Sequence, residues 1–319
     1  MRRVTWLVLA LMLFSVAGAS AMESVWKINL PNGEVVTATT FSPHGNRLVI
    51  GTSLGRMAIF ETGDSNAKNW LRKPLLDVKR LTQDQITALA FDSAQKILAI
   101  GSRDGKLRFT DNTGALLKEF TFKSMVKQIV FSNDNTRALV LCDSSDVTII
   151  DMNSYNTTVF AYKYFHPRVV AFGASSNEII EGLPNAQGEI IKGNIDRNKA
   201  VSKIYAQQFG VDALTVNAAN NLLVSSGRDS FIKIWNLDSL QPNGQINVTD
   251  NICALILTGD ANTIIAQCLD GSIKLFDVIG CIQTDAMFHG SGLNVMALKP
   301  DGKFIAAAYA NGDVCIYSF

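Results

Sequence analysis

Three histidines, His44, His166 and His289, are all the imidazole chemistry available to this chain. No two of them stand at the spacing that ligates a metal from one element, and a catalytic triad or zinc centre would have to assemble from distant segments. Glycine-rich phosphate loops are missing as well, so the residues call for no cofactor and no metal. What remains is contact chemistry. Arg103 and Arg228 each stand directly before a turn aspartate, Asp104 and Asp229. Guanidinium groups in such places suit carboxylates and planar groups, and a local bond to the neighbouring acid is the plain alternative. The stretch from Lys68 to Arg80 carries Lys68, Trp70, Arg72, Lys73, Lys79 and Arg80 against one acid, Asp77. A basic connection with an exposed tryptophan has the composition of a binding hot spot; equally, Leu75–Val78 reads as an outer strand with lysines on its solvated face. Phe165 and His166 carry the alternating aromatics Phe160, Tyr162 and Tyr164 into a loop.

Five cysteines are too few, and the wrong parity, for a disulfide scaffold. Aligned by repeat, Cys142 and Cys268 stand where Gly51, Gly101 and Gly227 stand elsewhere, which suits small packing thiols. The turn around Asp260 also brings Cys253 nearly opposite Cys268, within the range of a disulfide.

The elements that must position these residues repeat. Phe41, Phe91, Phe131, Phe172, Val216, Leu257 and Leu298 each close an apolar strand, at spacings of 50, 40, 41, 44, 41 and 41 residues. After each come a turn, a second apolar strand, a Gly/Asp/Asn turn and a third strand. Units of about 40 residues that cannot bury their faces alone must stack, as the blades of a propeller do. The chain is therefore expected to be all-β, a seven-bladed β-propeller of four-stranded antiparallel sheets. In the second repeat Ile86–Phe91, Lys96–Ile100 and Lys106–Phe109 are the three strands, with Asp104-Gly105 as a tight hairpin turn. The last repeat stops after its third strand, and Ser24–Leu30 is an orphan strand before the first. Pairing the two ends closes the ring and removes exposed edges.

The stretches Phe41-Ser42-Pro43-His44-Gly45, Ser102-Arg103-Asp104-Gly105, Ile232-Lys233-Ile234-Trp235-Asn236 and Leu298-Lys299-Pro300-Asp301-Gly302 resemble the WD-repeat family over residues 24–319. Trp235-Asn236 is the nearest approach to the Trp-Asp pair, and the fourth repeat, with Gly193-Asn194 there, is the most degenerate. The resemblance implies a top face on which the turns of Arg103 and Arg228 open. It also implies a buried His/Ser/Asp/Trp hydrogen-bond network, which is expected to be unassembled here, although Asp104, Asp229, Asp270 and His289 occupy its positions.

Met1-Arg2-Arg3, the apolar run Trp6–Phe14 and the small residues to Ala21 read as a secretory signal peptide over 1–21, leaving a propeller over 22–319. That mature chain has 27 basic and 28 acidic residues, a balance without the electrostatic footprint of a nucleic-acid binder. The expectation is a periplasmic or secreted, monomeric, non-enzymatic scaffold for protein partners, with Trp70, Arg72, Lys73, Arg103, Arg228, Phe165 and His166 as contact residues. Two other readings stand beside it: a hydrolase or lactonase with a metal held at the channel mouth by acids such as Asp212 or Asp143, and an envelope-assembly subunit.

Overall fold

The computed structural model describes residues 22–29, 34–63, 70, 76–78, 82–143, 146–160, 166–289 and 292–319. The leader over 1–21 and the candidate contacts Arg72, Lys73 and Phe165 lie outside them. Among the described residues the strands form seven four-stranded antiparallel sheets, the blades of a β-propeller. The inner strands are Val36–Phe41, Ile86–Phe91, Val126–Phe131, Val169–Phe172, Val211–Asn217, Ile252–Leu257 and Leu293–Leu298. Six of the expected anchor residues end these strands, and Val216 sits one place short of the end.

Burial explains why each repeat becomes a blade. The second strands are nearly continuous apolar runs, as in Phe304–Tyr309, which is buried throughout; both faces lie against neighbouring blades. Third strands alternate, so that Ile232 and Ile234 are buried while Lys233 is partly exposed. Outer strands such as Leu116–Thr121 are mostly solvent-facing. Cores accordingly form between blades: Leu139, Leu141, Val147 and Ile149 of blade 3 pack with Val170, Phe172 and Ile179 of blade 4. Gly101 shows how tight these seams are, because a Cβ there would lie 2.5 Å from Cγ1 of Val126 on the next blade.

Strand Glu23–Asn29 pairs antiparallel with Asp313–Ser318 as the outer strand of blade 7, so the ends of the chain close the ring as expected. Lys27 reinforces the join through an ion pair with Asp313 at 2.8 Å.

Three expectations are corrected at this level. The turn from Ser102 to Lys106 is a three-residue loop in which Gly105 alone, at φ +82°, is left-handed, rather than a two-residue turn with both angles positive. Thr52 and Ser102, not Gly51 and Gly101, share the position of Cys142, Gly227 and Cys268. Finally, no disulfide joins any of the five cysteines. Ile252, not Cys253, lies opposite Cys268, and the Cys253 thiol donates to the Gln267 carbonyl at 3.4 Å.

Candidate functional site

The inner strands carry a recurrent irregularity. In blades 1, 2, 3, 5, 6 and 7 the register slips after the first residue, leaving Thr37, Thr87, Lys127, Asp212, Cys253 and Asn294 as the extra residue of a β-bulge. Such a bulge re-aims its side chain and commonly lies beside a functional surface. These six residues stand at the end of the ring where the turns between second and third strands also open. Blade 4 has no bulge. There the backbone of Val170 is met by the Gln128 side chain, which donates to its carbonyl at 2.9 Å and accepts from its N–H at 3.0 Å.

Around the channel mouth the chemistry is lopsided. Blades 1, 2 and 7 present Thr37, Thr87 and Asn294, all tied to neighbouring backbone. Blades 3 to 6 instead line a cavity of about 590 Å³ with Lys127, Arg168, Asp212, Arg228, Cys253 and Leu269, among others. Asp212 is the hinge of this group: it accepts from Arg168 Nη1 and, at 3.2 Å, from Arg228 Nε. Burial, and secondly the neighbouring charge of Arg228, press the Arg168 pKa below its ordinary value. Lys127 faces Asp143 at 3.6 Å. The Arg228 side chain keeps 58 % of its surface exposed, and Leu269 keeps 72 %. An accessible guanidinium beside an uncovered apolar side chain can grip an acidic chain and desolvate its neighbour.

Arg228 thus stands in the mouth, bonded to Asp212 rather than to the adjacent Asp229. Arg103 is exposed on the same face but does not line the mouth. His166 is exposed, 3.2 Å from Asp146. Trp70 is corrected outright. It is 3 % exposed, with ring centroids 6.2 Å from Phe41 and 5.3 Å from Phe304, and belongs to the core between blades 1 and 7 because so large an apolar ring is worth more buried than in solvent. Sequence reading missed Lys127, Arg168 and Leu269. The signal for Lys127 was available in the aligned strand starts, where an apolar residue, a polar one and often alanine recur; Leu269 occupies in blade 6 the turn position of Arg103 and Arg228.

Among the described residues no group of three or more His, Cys, Asp or Glu side chains converges as metal ligands do, and no helix is long and apolar enough to cross a membrane.

Blade 5 holds a buried network that the sequence did not lead us to expect. Ser225 Oγ accepts from Trp235 Nε1 and from Gln207 Nε2, both at 2.9 Å, while Asp229 accepts from the Gln208 N–H and from Lys233, each at 3.0 Å. Gln207 stands in this network where the resemblance implies a histidine.

The architecture is that of a seven-bladed propeller with a charged channel mouth. A profile of the WD domain, G-beta repeat family matches residues 77–111 and 198–236, the second of which contains the Ser225–Trp235 network. The chain is similar to the SIR4-interacting protein SIF2 of Saccharomyces cerevisiae, 25 % identical over 297 residues, covering 83 % of this chain and 54 % of that protein. It is also similar to the U3 small nucleolar RNA-associated protein 21 homolog of Schizosaccharomyces pombe, 25 % identical over 124 residues, covering 39 % of this chain and 13 % of that protein. The chain therefore spans about half the length of the first relative, and far less of the second. Two stretches that match the WD profile, set in seven blades closed end to end, make this a β-propeller with WD-type repeats.

Proposed function

We propose that this propeller is an exported scaffold that binds a protein partner on the mouth of its channel over blades 3 to 6. The observation that carries the reading is the Arg168–Asp212–Arg228 cluster, with its exposed guanidinium next to the uncovered Leu269. Rigid blades hold these groups in place, so that binding costs little ordering entropy. The name of the first relative describes an interacting protein, which accords with this role. The metal-hydrolase alternative has less support, since the Asp212 carboxylate accepts from Arg168 and Arg228 and Asp143 faces Lys127 at 3.6 Å.

Export rests on the tripartite leader over 1–21 and gains support from the residue after it. Met22 is buried, and its nitrogen donates to Asp285 Oδ2 at 2.9 Å. Cleavage after Ala21 turns that amide into an ammonium group already facing a carboxylate, a stronger, charge-assisted bond.

Affinity capture of the tagged protein from its native envelope or medium, with Arg228→Ala and Leu269→Ala alongside, tests the reading. Each variant is expected to weaken capture by about 2 kcal/mol, roughly thirtyfold, while melting as the wild type does. Capture indifferent to both substitutions, or a native N-terminus at Met1 in a cytosolic fraction, would overturn it.

A further inference from the structure

The bulges at the mouth leave carbonyl groups out of the sheet ladders, and such groups need partners. Around most of the ring the previous blade supplies one. Thr37 Oγ1 donates to the Ile86 carbonyl and Thr87 Oγ1 to that of Val126, each at 2.5 Å. Asn294 Nδ2 donates to the Val36 carbonyl at 3.3 Å, and Gln267 Nε2 to that of Leu293 at 2.9 Å. These acceptors are the first inner-strand residues of blades 2, 3, 1 and 7. The matching residue of blade 6 is Ile252, which lines the mouth. The bulge residue of blade 5, which should reach it, is Asp212. An ionised carboxylate has no proton to give, and this one turns back to Arg168 and Arg228. Among the described residues no side chain donates to the Ile252 carbonyl. The seam between blades 5 and 6 therefore offers an acceptor without a side-chain donor, an exposed guanidinium and an exposed leucine, side by side.

Resting on the channel-mouth reading above, we infer that this seam takes an acidic, extended segment of a protein partner. One of its carboxylates pairs with Arg228, and a backbone N–H donates to the Ile252 carbonyl, replacing the missing stitch. Three cations on successive blades, Lys127, Arg168 and Arg228, favour a segment with more than one acid over a lone chain terminus. The apolar surface of Leu269 fits a leucine-like residue between the acids.

The blocked peptide acetyl-Ala-Asp-Leu-Asp-Ala-amide is the probe, titrated into the mature protein at low salt. Its N-methylated form, lacking the N–H of the first aspartate, and its Asn-for-Asp form are the comparisons. The parent peptide should bind saturably and slow the alkylation of Cys253, the exposed thiol of the five. N-methylation, the Asn form and Arg228→Ala should each weaken binding by roughly tenfold or more, and Lys118→Ala, on the outer strand of blade 2, should not. Asp212→Thr restores the residue type of blades 1 and 2: it should raise the melting temperature and weaken the peptide. Bulk electrostatics alone predicts the opposite, tighter binding once a carboxylate is removed. Wild-type protein that ignores the parent peptide, equal affinity for the N-methylated one, or tighter binding to Asp212→Thr would each sink the inference; the peptide comparison holds even if a variant misfolds. Should native capture depend on Arg228 and Leu269 while N-methylation changes nothing, the channel-mouth reading survives and the carbonyl contact does not.

Discussion

Glu181 lies in the second strand of blade 4, 1 % exposed, with neither carboxyl oxygen hydrogen-bonded. Its cross-strand neighbours are Val170 and Ile191, so it shares the sheet face that packs on blade 3. Burial, and secondly the charge of Asp146, push its pKa up from 4.5 to about 8. The folded state therefore holds a proton that the unfolded state gives up above pH 4.5, and stability falls as pH rises from there to about 8, after which the penalty is constant. The span corresponds to a loss on the order of several kcal/mol. Wild-type protein is expected to melt lower at pH 8.5 than at pH 5, and Glu181→Gln to flatten that difference; parallel pH profiles for the two proteins would refute the assignment. Trp70 makes the complementary point. Its place between Phe41 and Phe304 means that Trp70→Ala should cost about 3–5 kcal/mol in denaturant unfolding, rather than act on binding alone.

At the scale of the element, the network in blade 5 is decided by one hydroxyl. Ser225 accepts from two buried donors at once, so Ser225→Ala strands both the Trp235 indole and the Gln207 amide. Each stranded donor costs about 1–3 kcal/mol, and the denaturation midpoint should fall by the equivalent of roughly 2–6 kcal/mol. An unchanged midpoint would mean that water or another side chain takes over. The strands themselves were legible in the sequence, because the third strands alternate and the turns before them in blades 2, 6 and 7 carry Asp-Gly or Asn-Gly. The network was not, because glutamine offers a donor in histidine's place without resembling it. The one-residue slip that set Gly51 and Gly101 level with Cys142 has a similar cause: second strands are apolar on both faces, so no alternation marks their phase. The bulges were hidden within each repeat yet visible across them, in the polar residue that follows the first apolar one at Thr37, Thr87, Lys127, Asp212, Cys253 and Asn294. The mouth as a cluster had no local signature, since its cations come from blades 3, 4 and 5 and only the stacking of those blades makes them neighbours.

The whole molecule depends on that closure, made by the two ends of the described chain. Strand Glu23–Asn29 covers the outer edge of Asp313–Ser318, behind which Tyr309 and Tyr317, both buried, share a hydroxyl contact of 3.0 Å. Because the partners are separated by nearly the full sequence, the join is reached only after the intervening blades have stacked, and its loop entropy must be met late in folding. Deleting residues 23–29 removes an entire ladder and the Lys27–Asp313 ion pair, and leaves blade 7 with an open edge of the kind that templates aggregation. Against a total stability of about 5–15 kcal/mol for a typical domain, that loss should abolish the cooperative thermal transition or drive the protein into aggregates. A synthetic peptide of residues 23–29 added in trans should restore part of the transition by occupying the same edge. Unfolding of the truncated chain at the wild-type temperature, unaffected by the peptide, would show that blades 1 to 6 carry the ring without its clasp.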